Sequence, residues 1–368
     1  MRDQNASALL ASVMGWTQQD PIVQNIPVLQ LLANYKYDSY QNFAPGRRFV
    51  ESLALWLQQI EIGDRELALK LVLNELVFVA ESEIAHLVRM AYPDIIVREC
   101  LRLVGEELDI PPHRVGKISR HPRFSELRHK TLYLGLSDGA RTSELRRAGG
   151  GDISNEQIWQ AYELGDEKAE DMLVELGKSL AKGGFNSTAP AFNAIWLLDD
   201  FSGSGNSYIR YDSKEHKFKG KIKKVYERLH ESGLIDKSHY EVFLLLYMTT
   251  RQALDHLEYW SERFTAENNF KPLQIRPVTI IEPAIALTGP KQEQYNALLS
   301  NPKYVDTRAA DRHFLVGGTT NPNLGFAGCA LPVVLNHNTP NNSIYLLWGP
   351  DMYKPVGLFP RVSRHREF

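Results

Sequence analysis

Hydrophobic and polar positions follow a helical period through the first third of the chain. Phe49, Leu53, Leu57 and Ile60 recur around Trp56, and Glu51, Gln58 and Gln59 supply the opposing polar face. Glu66 to Ala91 has the same Leu-, Val- and Ala-rich character. Within it, Leu76-Val77-Phe78-Val79-Ala80 fits a short strand as well as a helix, because so short an apolar run has no decisive period. Pro111-Pro112 and His121-Pro122 punctuate a basic stretch, and beyond it the pattern changes. Short apolar runs at 131–136, 194–198, 242–247, 277–281 and 329–335 now alternate with helical patterns at 167–180 and 251–264. That alternation predicts an α/β fold, a mainly parallel sheet covered on both faces. The expected organisation is a helical region over residues 1–125, an added layer or cap, and an α/β domain over 126–368.

One apolar run ends in unusual chemistry. Ile195-Trp196-Leu197-Leu198 reads as a buried strand and leads into Asp199 and Asp200, then Phe201, Ser202, Gly203, Ser204, Gly205, Asn206 and Ser207. Ligands of open α/β sheets sit at the carboxyl ends of strands, where a helix N-terminus can face a phosphate. Gly203 and Gly205 let successive backbone N–H groups turn inward toward an anion, and the serines add hydroxyl donors. The two carboxylates cannot favour phosphate by charge, but they suit vicinal ribose hydroxyls. Buried at a strand end without a partner, they would be costly. The alternative is a Gly/Ser turn whose acids cap the next helix.

This order of residues resembles the signature of type I phosphoribosyltransferases: an apolar strand, two acids, two variable residues and a small Ser/Thr/Gly loop. Asp199 and Asp200 match the acidic pair, and Ser204, Gly205 and Ser207 match the positions that hold a 5-phosphate. Phe201 is bulkier than the usual aliphatic residue, and Asn206 stands where glycine is common. The resemblance implies a sheet of phosphoribosyltransferase type and transfer at the anomeric carbon of phosphoribosyl pyrophosphate or a related nucleotide. Mg²⁺ is the implied cofactor, with Asp199 and Asp200 orienting ribose and metal and Ser202 to Ser207 holding the phosphate. A pyrophosphate loop is expected after an earlier strand. Leu132 to Leu136 followed by Ser137, Asp138, Gly139, Ala140 and Arg141 has that order, with Arg141 set to neutralise phosphate oxygens. A plain strand-to-helix turn capped by Asp138 is the alternative.

His337, Asn338 and Asn341 lie in an Asn-rich turn near aromatic residues and suit recognition of a base or nucleoside. A long turn between strands is the other reading. Over roughly residues 35 to 350 the chain resembles a divergent bacterial group of phosphoribosyltransferase-like proteins linked to conflict and defence loci. Tyr40 to Phe49, Asp138 to Arg141, the acidic-pair loop and His337 to Asn342 carry that resemblance. It implies an effector of an anti-phage defence system with protein partners, and a homodimer is an open alternative.

Two other functions compete. One is a nucleotide sensor or partner-binding subunit that keeps the cradle without turnover. The other is a methyltransferase, since Asp200-Phe201-Ser202-Gly203-Ser204-Gly205 also resembles the cofactor loop of DNA-type enzymes. Those enzymes need an Asn/Asp-Pro-Pro-aromatic motif, and Asn321-Pro322-Asn323-Leu324 lacks its second proline and its aromatic. Tyr247 is also followed by Met248 to Arg251, where a ribose-binding acid is expected.

Composition narrows the setting. A formal net charge of −2 gives no global attraction to nucleic acid or membrane. The basic runs ending at Lys130 and spanning Lys214 to Lys224 read as solvated faces, with nucleic-acid contact the unsupported alternative. Cys100 and Cys329 read as buried thiols. No stretch approaches the roughly 20 apolar residues of a membrane span, and the first residues lack a signal-peptide core. The expectation is a cytoplasmic protein. Gly149-Gly150-Gly151 and Gly183-Gly184 read as hinges of a mobile loop or as helix stops.

Overall fold

The structure, a computed structural model, describes residues 3–17, 25–185, 189–310 and 312–362. In chain order its strands are β1 (Val77–Val79), β2 (Thr131–Gly135), β3 (Ile158–Gln160), β4 (Ala194–Ser202), β5 (Arg210–Asp212), β6 (Lys217–Lys219), β7 (Glu241–Thr250), β8 (Leu273–Ile281) and β9 (Val333–Leu335). The chain forms two compact units: residues up to Glu83 with those from Glu282 onward, and Ile84–Ile281.

The Ile84–Ile281 unit is built on a five-stranded sheet of order β3-β2-β4-β7-β8, and each pairing is parallel. The runs at 194–198 and 242–247 are its central strands, buried throughout and stacked through Trp196 and Phe243. Leu176 and Leu180 of helix Asp166–Lys182, Leu229 of Lys221–Glu231 and Leu257 of Arg251–Glu267 pack into the core with Leu197 and Leu244. Cys100, Val104, Phe124 and Leu127 form a second cluster with Ala194. Pro277, which has no N–H to donate, sits on edge strand β8. Edge strand β3 was not legible as a strand: three half-buried residues carry too short a pattern. Both glycine runs end helices, at Ala148 and Lys182. Residues 186–188, part of the expected loop, lie outside the described residues.

The other unit joins helices Asp3–Met14, Asn25–Tyr35, Phe49–Gln58 and Arg65–Asn74 to the residues after Glu282. The ambiguous 76–80 run is strand β1, which pairs in parallel with β9. Phe49, Leu53 and Leu57 share a core with Leu347 and Phe359, and the Phe49 and Phe359 rings stack. The units therefore divide at Glu83 and Glu282 rather than near residue 125. The run at 329–335 feeds the small β1–β9 pair and not the main sheet. Local periodicity cannot report such a pairing, made between segments about 250 residues apart in sequence order. No helix among the described residues is long and apolar enough to cross a membrane. Cys100 and Cys329 are buried and form no disulfide among the described residues.

Candidate functional site

The sheet order places a crevice. From β2 the chain moves outward to β3 on one side, then returns to β4 and continues outward through β7 and β8 on the other. The carboxyl ends of β2 and β4 are thus the topological switch point, where open α/β sheets bind ligands. The segments emerging there are 136–141 and 203–207, the two that carry the candidate residues.

Hydrogen bonds and close packing bind the two segments together. Ser137 Oγ donates to Asp199 Oδ1 and accepts from the Gly139 N–H. A Cβ on Gly139 would come within 2.4 Å of Asp200 Oδ2, so only glycine lets the carboxylate lie against the loop. Tyr247 of β7 donates to the Ala140 carbonyl from 3.2 Å. Arg141 takes a left-handed conformation, φ 50°, immediately before helix Thr142–Ala148. A non-glycine residue held there costs energy that its surroundings must supply, a pattern common at ligand sites. Arg141 pairs with Glu144, and Asp138 accepts from Tyr162.

The adjacent aspartates have different surroundings. Asp199 is 2% exposed. Its Oδ1 takes Ser137 and the Asp200 N–H; its Oδ2 takes the Tyr208 hydroxyl and Lys221 Nζ, each at 2.8 Å. Burial pushes its carboxyl above the ordinary value and the Asp200 charge adds to that, while Lys221 pulls the other way. Burial also pushes the Tyr208 hydroxyl well up. Asp200 is half-buried, and its Oδ1 accepts the Phe201 N–H at 2.9 Å. Asp199 is therefore held by four protein donors, while the Asp200 carboxylate lies against Gly139 of the other loop.

The cradle itself departs from expectation in two respects. Strand β4 runs through Ser202, and the loop after it enters a turn and then the antiparallel β5–β6 hairpin rather than a helix. Helix Lys221–Glu231 begins later, with its first amides donating to the Ser207 and Tyr208 carbonyls. The expected helix N-terminus facing the phosphate is thus absent directly after the loop. Secondly, Gly205 has φ 77°, and a Cβ there would lie 2.8 Å from His256 Cδ2 and 3.0 Å from the Ala253 carbonyl. Its small size serves packing against helix Arg251–Glu267.

What the loop does offer is donors. Thr249 and Thr250 hydroxyls hold the Ser202 and Gly203 carbonyls. Among the described residues, the backbone N–H groups of Ser204, Gly205, Asn206 and Ser207 have no protein acceptor. Ser204 and Gly205 are buried, as is Ser202, whose Oγ also lacks a partner. Buried donors of this kind are rare unless something else accepts from them.

His337, Asn338 and Asn341 belong to the other unit. There Asn42 Nδ2 donates to the His337 carbonyl and Asn338 Oδ1, and the Phe326 N–H donates to the Asn341 carbonyl. Sequence inspection missed Tyr208 and Lys221 as partners of Asp199. Lys221 was hidden in a run read as a solvated face, and that reading does describe its neighbours: Lys217, Lys219 and Lys223 pair with Glu215, Asp212 and Glu227.

Among known proteins, a family model described as PRTase-CE matches residues 53–361. No curated protein and no solved structure matches the chain.

Proposed function

The chain belongs to the PRTase-CE family, a phosphoribosyltransferase-type family, and we propose that the crevice between β2 and β4 binds phosphoribosyl pyrophosphate or a related nucleotide. The observation that carries this is the row of unaccepted amides from Ser204 to Ser207 at the switch point. A 5-phosphate accepts from those amides and from the hydroxyls of Ser202, Ser204 and Ser207. Asp200 accepts from the ribose hydroxyls, and Gly139 and Arg141 face the pyrophosphate. Asp199 is a positioning residue: with Ser137, Tyr208 and Lys221 it fixes the two loops against each other.

Chemistry at the anomeric carbon then follows from placement. Phosphate held at one end makes binding energy available at the reacting bond, and Arg141 stabilises charge on departing pyrophosphate. No group of three or more His, Cys, Asp or Glu among the described residues forms a metal cage. Asp200 fits a divalent cation shared with ligand oxygens, whereas Asp199 does not. Mg²⁺, when bound, supplies positive charge that offsets the leaving group.

A second reading, binding without turnover, is favoured by Lys221. Its ammonium already sits beside the acidic pair and supplies charge there without a metal. Pyrophosphate release from phosphoribosyl pyrophosphate and Mg²⁺, with a panel of bases, separates the two. Release that disappears in Asp200→Asn supports a transferase; saturable binding with no release supports the sensor. The methyltransferase alternative loses its ground to the family match. The family resemblance also underlies a proposed role as an anti-phage effector with protein partners. Phage plating on cells carrying Asp200→Asn tests it: unchanged protection removes the site from that role.

A further inference from the structure

The Tyr40–Phe49 and His337–Asn342 motifs converge within their own unit. Tyr40 OH is buried among Thr339 Oγ1, the Phe359 carbonyl and the Pro360 carbonyl, and Asn42 Nδ2 bridges to His337 and Asn338. Beside this junction lies a cleft of about 410 Å³, formed by 42–47, helix Phe49–Gln58 and the 354–360 segment. That volume is in the range of small-molecule sites.

Its lining has a definite chemistry. Arg47 and Lys354 stand on its wall, both exposed, and no Asp or Glu contributes to it. Neither cation has a carboxylate partner among the described residues, although the unit pairs its neighbour Arg48 with Asp3. Phe43, half-buried, supplies aromatic surface. Ser52 and Trp56 also line the cleft, at 7% and 2% exposure, and among the described residues neither Ser52 Oγ nor Trp56 Nε1 has a hydrogen-bond partner. Both are buried donors that no protein acceptor among the described residues satisfies.

We propose that this cleft is a second ligand site, for a mononucleotide: its phosphate pairs with Arg47 and Lys354, and its base lies along Phe43. The site is separate in sequence from the acidic-pair crevice and does not depend on the function proposed there. Two cations with no counter-charge among the described residues select a phosphate monoester over a neutral nucleoside, and the aromatic wall selects a nucleotide over free phosphate.

The test uses the full chain, thermal melts and calorimetric titration with inorganic phosphate, ribose 5-phosphate, adenosine and the purine and pyrimidine nucleoside monophosphates. At least one monophosphate is expected to bind and raise the melting temperature, with phosphate and adenosine at least tenfold weaker. The Arg47→Gln/Lys354→Gln double variant alters only exposed side chains, so it should melt like the parent without ligand and lose at least tenfold in affinity. Lys354→Gln alone should lose part of that affinity. Asp200→Asn should leave this binding unchanged. Absence of monophosphate binding to the parent chain, equal binding by the double variant, or loss of binding with Asp200→Asn overturns the proposal. Failure of phosphoribosyl pyrophosphate binding leaves it standing, because that reading is tested at Asp200.

Discussion

The two places where sequence motifs converge are built by different means. In the Ile84–Ile281 unit, 137–141 and 199–207 meet because they leave the carboxyl ends of adjacent parallel strands, β2 and β4. In the other unit, Tyr40–Phe49 and His337–Asn342 meet through side-chain hydrogen bonds spanning about 300 residues of sequence, centred on Tyr40 and Asn42. Sheet topology gives the first site a rigid frame and leaves its loop amides available. The second uses the Asn42 and Asn338 side chains in holding the turn and leaves exposed cations at its edge. The difference teaches that an Asn-rich motif is not by itself a ligand-recognition device. Some of its polar groups are the fold's own fasteners.

The largest expected effect is at Lys221. Lys221→Met leaves the Asp199 carboxylate buried without its counter-charge. Removing one partner of a buried pair costs several kcal/mol, and partial exposure of Lys221 reduces that to about 2–3 kcal/mol. The pH dependence has a definite sign. Burial already raises Asp199 above its unfolded value, so its contribution is fully present below the unfolded value and is lost as pH rises through the folded one. Lys221→Met raises the folded value further. Urea unfolding should therefore show a greater loss at pH 8 than at pH 5; an equal loss at both would reject Lys221 as the counter-ion.

Gly205→Val comes next. A β-branched residue at φ 77° that also overlaps the His256 ring should cost about 2 kcal/mol. It should lower the melting temperature of the ligand-free protein, which loss of anion room alone would not do. Tyr40→Phe in the other unit should cost about 1–2 kcal/mol by leaving buried acceptors unpaired, without altering phosphoribosyl pyrophosphate affinity. The smallest effect belongs to Gly46→Ala. Gly46 shares φ 77° with Gly205 but has nothing near a Cβ, so only backbone strain of about 1 kcal/mol is expected. If Gly46→Ala matched Gly205→Val in thermal melts, packing at His256 would not be the distinguishing cause.

Much of the sheet was legible because buried parallel strands read as continuous apolar runs. Ile195 to Leu198 and Val242 to Tyr247 sit at its centre as expected. The short edge strand β3 and the β1–β9 pairing were not, since three residues carry no period and long-range pairing leaves no local mark. At the site, the acidic pair and the 138–141 loop were legible as motifs, and the structure brings them together. Their division of labour was not. Asp199 and Asp200 are chemically identical neighbours, distinguished by which side of β4 meets Tyr208 and Lys221. Lys221 lies 22 residues further along, inside a lysine run, where composition conceals it.

The central claim is that Asp200 and the Ser204–Ser207 amides form a ribose-phosphate site at the β2–β4 switch point. It is tested most directly by calorimetric titration of phosphoribosyl pyrophosphate with Mg²⁺ into the parent chain and Asp200→Asn. Hydrogen bonds to a charged group contribute about 1.5–3 kcal/mol. The parent should bind saturably, and Asp200→Asn should bind roughly tenfold to a hundredfold more weakly while melting at the same temperature. Parent protein that does not bind, or Asp200→Asn that binds with parental affinity, would contradict the account.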